Sequence, residues 1–329
     1  MSPFTYARPT ALNEALQLAG PHTRFIAGGT NLIDLMKENV ERPQRLIDIT
    51  GLPLHEVTDT VDGGLLIGAL VSNSDLAWHP RVEHDYPLLA QAILAGASPQ
   101  LRNMATTGGN LLQRTRCQYF YDTAAPCNKR EPDSGCSARN GLNRNHAILG
   151  ASEHCVATHP SDMCVAMAAL QAVVHIAGPQ GTRTVAFADF HRLPGDTPER
   201  DNVLAADELI TAIELPAAGF AQHSHYLKIR DRESYAFALV SVAAALAIDG
   251  HVISQARIAL GGVAHKPWRV SDAEAVLVGK PPTPANFRLA ADLLLDGAVG
   301  LGRNNFKVEL ARRAVVRALS DAATAEVAA

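Results

Sequence analysis

The sequence predicts an α+β fold, with an α/β-type N-terminal region of two subdomains and a C-terminal antiparallel sheet plus helical bundle. Three observations carry this. Near the N-terminus, "RFIA", "GGT", "NLIDLMKEN" and "RLIDI" follow one another, which reads as strand, glycine turn, helix and strand. From about residue 223 the character changes, and "YAFALVSVAAALAIDGHVISQARIALGGVAH" is two apolar strands around Asp249-Gly250, a strong hairpin signal. Beyond it, "TPANFRLAADLLLDG" and "NFKVELARRAVVRALSDAATAEV" carry apolar residues at helical spacing. The expected divisions are 1–53, 54–222 and 223–329.

Taken in order, "TALNEALQLAG" is a helix that Thr10 can cap. Leu12, Ala15, Leu16 and Ala19 share a face, and Gly20 ends it. In the turn that follows "RFIA", Gly28 and Gly29 let the backbone come close to a ligand, and Thr30 adds a hydroxyl. An anion could sit there, although a bare βα turn has the same sequence. "YPLLAQAILAGAS" is a helix with Pro87 in its first turn. "LRNMATTGGNLL" is a second threonine–glycine turn, with Thr106, Thr107, Gly108, Gly109 and Asn110. Two such turns could clamp the two ends of an extended dinucleotide. Neither has the G-x-G-x-x-G spacing of a Rossmann site.

In "THPSDMCVAMAALQAVVHI", Ser161 is an N-cap candidate and Met163, Val165, Ala166 and Leu170 form an apolar side. Asp162 favours the helix dipole or accepts a hydrogen bond from a ligand hydroxyl. Cys164 lies inside this helix as a small hydrophobe. "HSHYLKIR" is a strand leading into the C-terminal hairpin.

With 29 basic and 33 acidic side chains the net charge is −4, so no basic surplus points to nucleic acid or an anionic membrane. No apolar stretch is long enough to span a bilayer. "MSPFTYARPTALNEALQLAG" lacks the basic start and apolar run of an export signal. The expectation is a chain that folds in the cytosol and leaves it only in company with a partner. Thiols there stay reduced, so clustered cysteines suggest metal or redox work before disulfides.

Four of the five cysteines fall within residues 117–155: Cys117, Cys127, Cys136 and Cys155. Nine, eight and eighteen residues separate them. Structural zinc sites usually draw on short C-x₂₋₄-C knuckles, and this chain has none. A four-iron cluster tolerates loop-borne thiolates. Pro126, Pro132 and Gly135 make this loop irregular, as a wrap around a cofactor would be. Four unrelated thiols are the plain alternative. Arg114, Arg116, Lys129 and Arg130 nearby could offset cluster charge, dock a partner, or form a solvated face.

"RFIAGGTNLIDLM", "TTGGN", "HPSD", "YLKIRDRESYAFALVSVA" and "ARIALGGVAHKPWR" together resemble, nearly end to end, the FAD-binding subunit of the xanthine dehydrogenase and aldehyde oxidoreductase family. The likeness is greatest to flavin subunits of bacterial periplasmic aldehyde oxidoreductases. The resemblance implies a PCMH-like FAD-binding region. It also implies a heterotrimer with a molybdenum cofactor-binding large subunit and a 2Fe–2S small subunit, and a periplasmic location if the complex is exported. Electrons would pass from molybdenum through 2Fe–2S centres to FAD and on to an external acceptor. A related molybdenum hydroxylase acting on another substrate, or a non-catalytic metal-binding assembly module, is the alternative.

By the same resemblance, Arg24, Phe25, Ile26, Ala27, Gly28, Gly29, Thr30, Asn31 and Leu32 cradle the FAD diphosphate. Thr106, Thr107, Gly109 and Asn110 are the second clamp, and Asp162 holds the ribityl or adenosine part. Lys228 and Tyr235 lie near the isoalloxazine. Cys117, Cys127, Cys136 and Cys155 hold a 4Fe–4S cluster that most relatives lack. No residue of this chain would touch the aldehyde.

Overall fold

A computed structural model describes residues 1–324 of the chain. Its strands form three sheets. Thr5–Ala7 (β1), Thr23–Ile26 (β2) and Arg45–Asp48 (β3) make a parallel sheet of order β1-β3-β2. Val57–Asp59 (β4), Leu65–Gly68 (β5), Val173–Gly178 (β6), Gly181–Ala186 (β7) and Leu209–Leu215 (β8) make an antiparallel sheet of order β4-β5-β8-β6-β7. Ser224–Ile229 (β9), Val240–Asp249 (β10) and Val252–Gly261 (β11) form the third, with β10 in the middle.

The strand–turn–helix–strand reading of the N-terminus is reproduced by β2, the helix Leu32–Lys37 and β3. The first helix differs from expectation in its cap. It spans Leu12–Leu18 with Ala11 at the cap position and no side-chain cap. Thr10 instead donates its amide to Glu14 Oε2 at 3.2 Å, so the acidic side chain reaches back over the first turn.

The hairpin around Asp249-Gly250 forms as read, with Asp249 opposite Val252. Strand β10 is buried from Val240 to Leu246 because both of its faces are covered. Alternation sorts the two faces. Ala243 and Ala245 face the main core, while Val240, Val242, Ala244 and Leu246 face the C-terminal helices. The small side chains on the first face let the helix Asp162–Ala169 pack against β10 and β11. That helix is buried along its whole length, not on one side only.

The C-terminal cap is formed by Pro284–Leu294, whose Thr283 hydroxyl caps it, and Phe306–Thr324. Ala311, Ala314, Val315, Ala318, Leu319 and Ala322 make the buried stripe of the last helix, at the three- and four-residue steps of an amphipathic helix. The reading had extended this helix to Val327, and 325–327 lie outside the described residues.

Candidate functional site

The two glycine turns meet in space. Gly28 abuts the backbone before the second turn so closely that a Cβ on it would lie 1.6 Å from the Met104 carbonyl oxygen. Asn31 Nδ2 donates to the Gly109 carbonyl at 3.4 Å. "TTGGN" is a helical turn, Thr107–Leu111, capped by the Thr106 hydroxyl, which accepts from Gly109 N at 3.3 Å. Thr107 is fully buried, and its hydroxyl donates to the Val71 carbonyl at 2.9 Å.

Two adjoining cavities open on either side of this junction, of about 540 and about 270 Å³. Every residue from Thr23 to Leu32 lines the larger, together with Thr106 and Gly109. Thr30 and Asn31 line both cavities. Asn110, Asp162, Lys228 and Tyr235 line the smaller, beside apolar Ile93, Leu101 and Met163. Thr107 lines neither. Among the described residues, no protein acceptor takes the amide protons of Gly28, Gly29, Thr30 or Asn31. Consecutive free amides at a concave wall suit an anion.

The smaller cavity is built around a buried ion pair. Lys228 Nζ, from β9, lies 2.7 Å from Asp162 Oδ2 and donates to the Ala95 carbonyl at 3.0 Å. Tyr226 Oη donates to Asp162 Oδ1 at 2.7 Å. Ser161 caps the helix through Cys164 N and donates its hydroxyl to Asn110 Oδ1. Asn110 Nδ2 reaches Asn73 Oδ1 at 2.9 Å. The second turn and the start of helix Asp162–Ala169 are therefore one polar network. Tyr235 sits at the mouth, 61% exposed with φ of 51°.

Sequence reasoning left three contributors out of the site. Arg116 lines the smaller cavity, donates to Asn31 Oδ1 at 2.8 Å and stacks over Phe237. Arg114 and Asp201 line the larger cavity and pair at 2.9 Å. Asp201 lies 87 positions from Arg114, so no local pattern joins them. The solvated-face reading of the basic residues is corrected here. Lys129 is fully buried against Asp201 and the Pro198 carbonyl, and Arg130 donates to the Tyr119 and Phe120 carbonyls.

Cys117, Cys127, Cys136 and Cys155 line one small pocket. Cys127 and Cys136 face each other in a short antiparallel bridge. Burial pushes the Cys117 thiol up to about 12 and the Cys155 thiol up to about 11, and neighbouring thiols add to both shifts. Among the described residues, one group of three metal-capable side chains has ligand atoms within 4.8 Å of one another: His159, Cys164 and His191. No three of the loop thiols form such a group. They stand wider than tetrahedral ligands of one zinc ion, which lie about 3.8 Å apart for Zn–S of about 2.3 Å. Cys164 is fully buried in the main core, as expected of a small hydrophobe.

Paired turns, facing cavities and a separate C-terminal sheet make a two-part architecture suited to an extended ligand. The family model described as the FAD binding domain in molybdopterin dehydrogenase matches residues 2–218. The CO dehydrogenase flavoprotein C-terminal domain matches residues 225–322. The chain is 52% identical to the aldehyde oxidoreductase FAD-binding subunit PaoB of Escherichia coli, covering 98% of this chain and 99% of that one. It is 28% identical to the carbon monoxide dehydrogenase medium chain of Afipia carboxidovorans, covering 96% of each. Among solved structures, carbon monoxide dehydrogenase from Hydrogenophaga pseudoflava superposes with a TM-score of 0.76 at 27% identity, over 98% of this chain and 97% of that chain. The chain belongs to the family of FAD-binding subunits of molybdenum hydroxylases, and it is an oxidoreductase subunit.

Proposed function

We propose that this chain binds one FAD non-covalently along the two adjoining cavities and serves an aldehyde-oxidising complex as its electron-transfer subunit. The observation that carries the placement is the run of four amides, Gly28 to Asn31, with no protein acceptor at the wall of the larger cavity. They would take the diphosphate oxygens, with Arg24 to Leu32 as the cradle and Thr106, Gly109 and Asn110 closing the other side. Thr107 would hold the second clamp in place from beneath. In the smaller cavity, Asp162 keeps lone pairs for a ribityl hydroxyl, while Lys228 and Tyr235 stand beside the ring. The apolar wall of Ile93, Leu101 and Met163 keeps water from that side. Bound FAD supplies the redox chemistry, accepting electrons and passing them to an external acceptor.

The reading extends to a 4Fe–4S cluster held by Cys117, Cys127, Cys136 and Cys155. Four thiols at one pocket, set wider than one ion requires, support it. Burial disfavours the anionic form of Cys117 and Cys155, and a bound metal would stabilise it. The partners in this reading are a molybdenum cofactor-binding large subunit and a 2Fe–2S small subunit. The likeness to the Escherichia coli aldehyde oxidoreductase subunit favours an aldehyde over a purine or aromatic acyl-CoA substrate. We also propose that any periplasmic form is co-exported with a partner.

Cofactor analysis of the purified complex tests the core of this. One FAD per chain is expected, and iron beyond that of the small subunit. Serine at any of the four loop cysteines should lower iron, and Cys164→Ser should not. Iron retained in Cys136→Ser overturns the ligand set. The chain alone, loaded with FAD, should oxidise no aldehyde. Expressed without partners it should fractionate with the cytoplasm.

A further inference from the structure

Cys117 has a side-chain neighbour that the proposed function does not use. His146 Nε2 lies 3.1 Å from Cys117 Sγ. The residue is 5% exposed, and its other ring nitrogen, Nδ1, is buried without a partner. A neutral imidazole carries one N–H. With an acceptor facing Nε2 and none facing Nδ1, that proton belongs on Nε2, pointing at the sulfur.

The residue is also held from behind. Its amide donates to the Asn143 carbonyl at 3.0 Å. Its carbonyl accepts from Asn304 Nδ2 at 3.1 Å and from Lys307 Nζ at 2.9 Å, both fully buried side chains of the C-terminal region. Such clamping fixes where the ring points. The place matters as well. Cys117 and His146 line a third cavity that shares Asp162, Tyr235 and Phe237 with the smaller flavin-facing cavity. This corner of the cysteine cup is therefore the one turned toward the proposed flavin site.

We propose that His146 is a positioning residue that donates its Nε2–H to the Cys117 sulfur and so raises the reduction potential of an iron–sulfur cluster in the cup. The inference rests on the cluster reading above. Reduction adds one electron to the cluster, and the added charge is shared by its sulfurs. A donated hydrogen bond stabilises that form more than the oxidised one. The proton stays on His146 throughout, and no bond is made or broken.

The test uses the intact complex, analysed first for iron. A redox titration followed by the paramagnetic signal of the reduced cluster compares His146→Leu and His146→Gln with the unsubstituted protein. In His146→Leu the reduced-to-oxidised ratio at a fixed potential should fall about tenfold, which is about 59 mV for a one-electron couple. His146→Gln, whose amide can donate, should recover part of it. Full iron with an unchanged potential in His146→Leu overturns the assignment. Should His146→Leu lose iron, unsubstituted protein carrying ¹⁵N-histidine decides. Coupling of the reduced cluster to a histidine nitrogen supports the hydrogen bond, and its absence overturns it. Unsubstituted complex with no iron beyond the small subunit sinks the cluster reading instead.

Discussion

Lys129→Met should weaken the attachment of the cysteine loop to the wall of the larger cavity. Lys129, two residues after Cys127, has a side chain only 1% exposed and pairs with Asp201 Oδ1. Asp201 Oδ2 lies 2.9 Å from Arg114 Nε, and Arg114 reaches Glu41 Oε1 at 2.7 Å. Glu41, Arg114 and Asp201 all line the larger cavity. Burial alone would raise the Asp201 carboxyl, but Lys129 and Arg114 outweigh it and hold it well below the usual carboxylate range. Removing one partner of a buried pair costs about 3–5 kcal/mol when the other charge is left alone. Asp201 keeps Arg114, so the expected loss is smaller, about 2–3 kcal/mol.

Urea unfolding followed by circular dichroism, with variants at equal cofactor loading, measures it. The sign with pH follows from the depressed carboxyl. The pair's contribution is fully present above the unfolded value of about 3.9 and fades as pH falls toward the folded one. The gap between wild type and Lys129→Met should therefore narrow in acid. Asp201→Asn completes a double-mutant cycle with an expected coupling of about 1–3 kcal/mol. A loss under about 0.5 kcal/mol, or strictly additive losses, would refute the argument.

Gly109→Val should empty the flavin site and disturb little beyond the Thr106 cap, because outside its own helical turn the atom that a Cβ there would meet is Thr106 Oγ1 at 2.8 Å; absorbance and fluorescence of released flavin report it. Thr107→Val should do the reverse, losing about 1–2 kcal/mol with its bond to the Val71 carbonyl while keeping FAD, as thermal melts and flavin content would show. Lys307 is fully buried, and burial pushes it down to about 7 from 10.5. Between those values the unfolded chain binds more protons, so this group adds stability as pH rises through the window and withdraws it as pH falls through about 7. The swing is at most about 5 kcal/mol. Lys307→Met should remove that slope between pH 7 and 9.5, whatever constant offset it introduces, and parallel pH profiles for the two proteins would count against it.

Much of the fold was legible because its signals are local. The Asp249-Gly250 hairpin, the Pro87 helix start and the amphipathic last helix each depend on residues within one turn or one strand of each other. The five-stranded sheet was not read out, although it holds the main core together. Its strand order, β4-β5-β8-β6-β7, joins segments about 150 residues apart, as in Leu65 opposite Leu215. The spacing of Cys117, Cys127, Cys136 and Cys155 made a cysteine-rich, irregular loop legible, and the four line one small pocket. The loop's internal ties were not legible, because Lys129 finds Asp201 from 72 residues away. Exposed and buried lysines look alike until the partner is known.

The glycine turns drew attention for a reason that is only partly about ligand. Gly28 is required by the Met104 carbonyl, and Gly108 by Ala69, whose Cβ would be 2.9 Å from an added Cβ. Gly29 has φ of +72° and would meet the Ile33 side chain at 2.6 Å, so it too has a reason within the protein. A bulky residue at Gly29 would therefore disturb the turn itself, and loss of flavin there would not locate the diphosphate. Gly109 has a weaker reason: a Cβ there would meet the Thr106 capping hydroxyl at 2.8 Å and no backbone outside its own helical turn, and the position otherwise faces the cavity. Substitution at Gly109 rather than Gly29 thus separates a turn that shapes the protein from a turn that receives a cofactor.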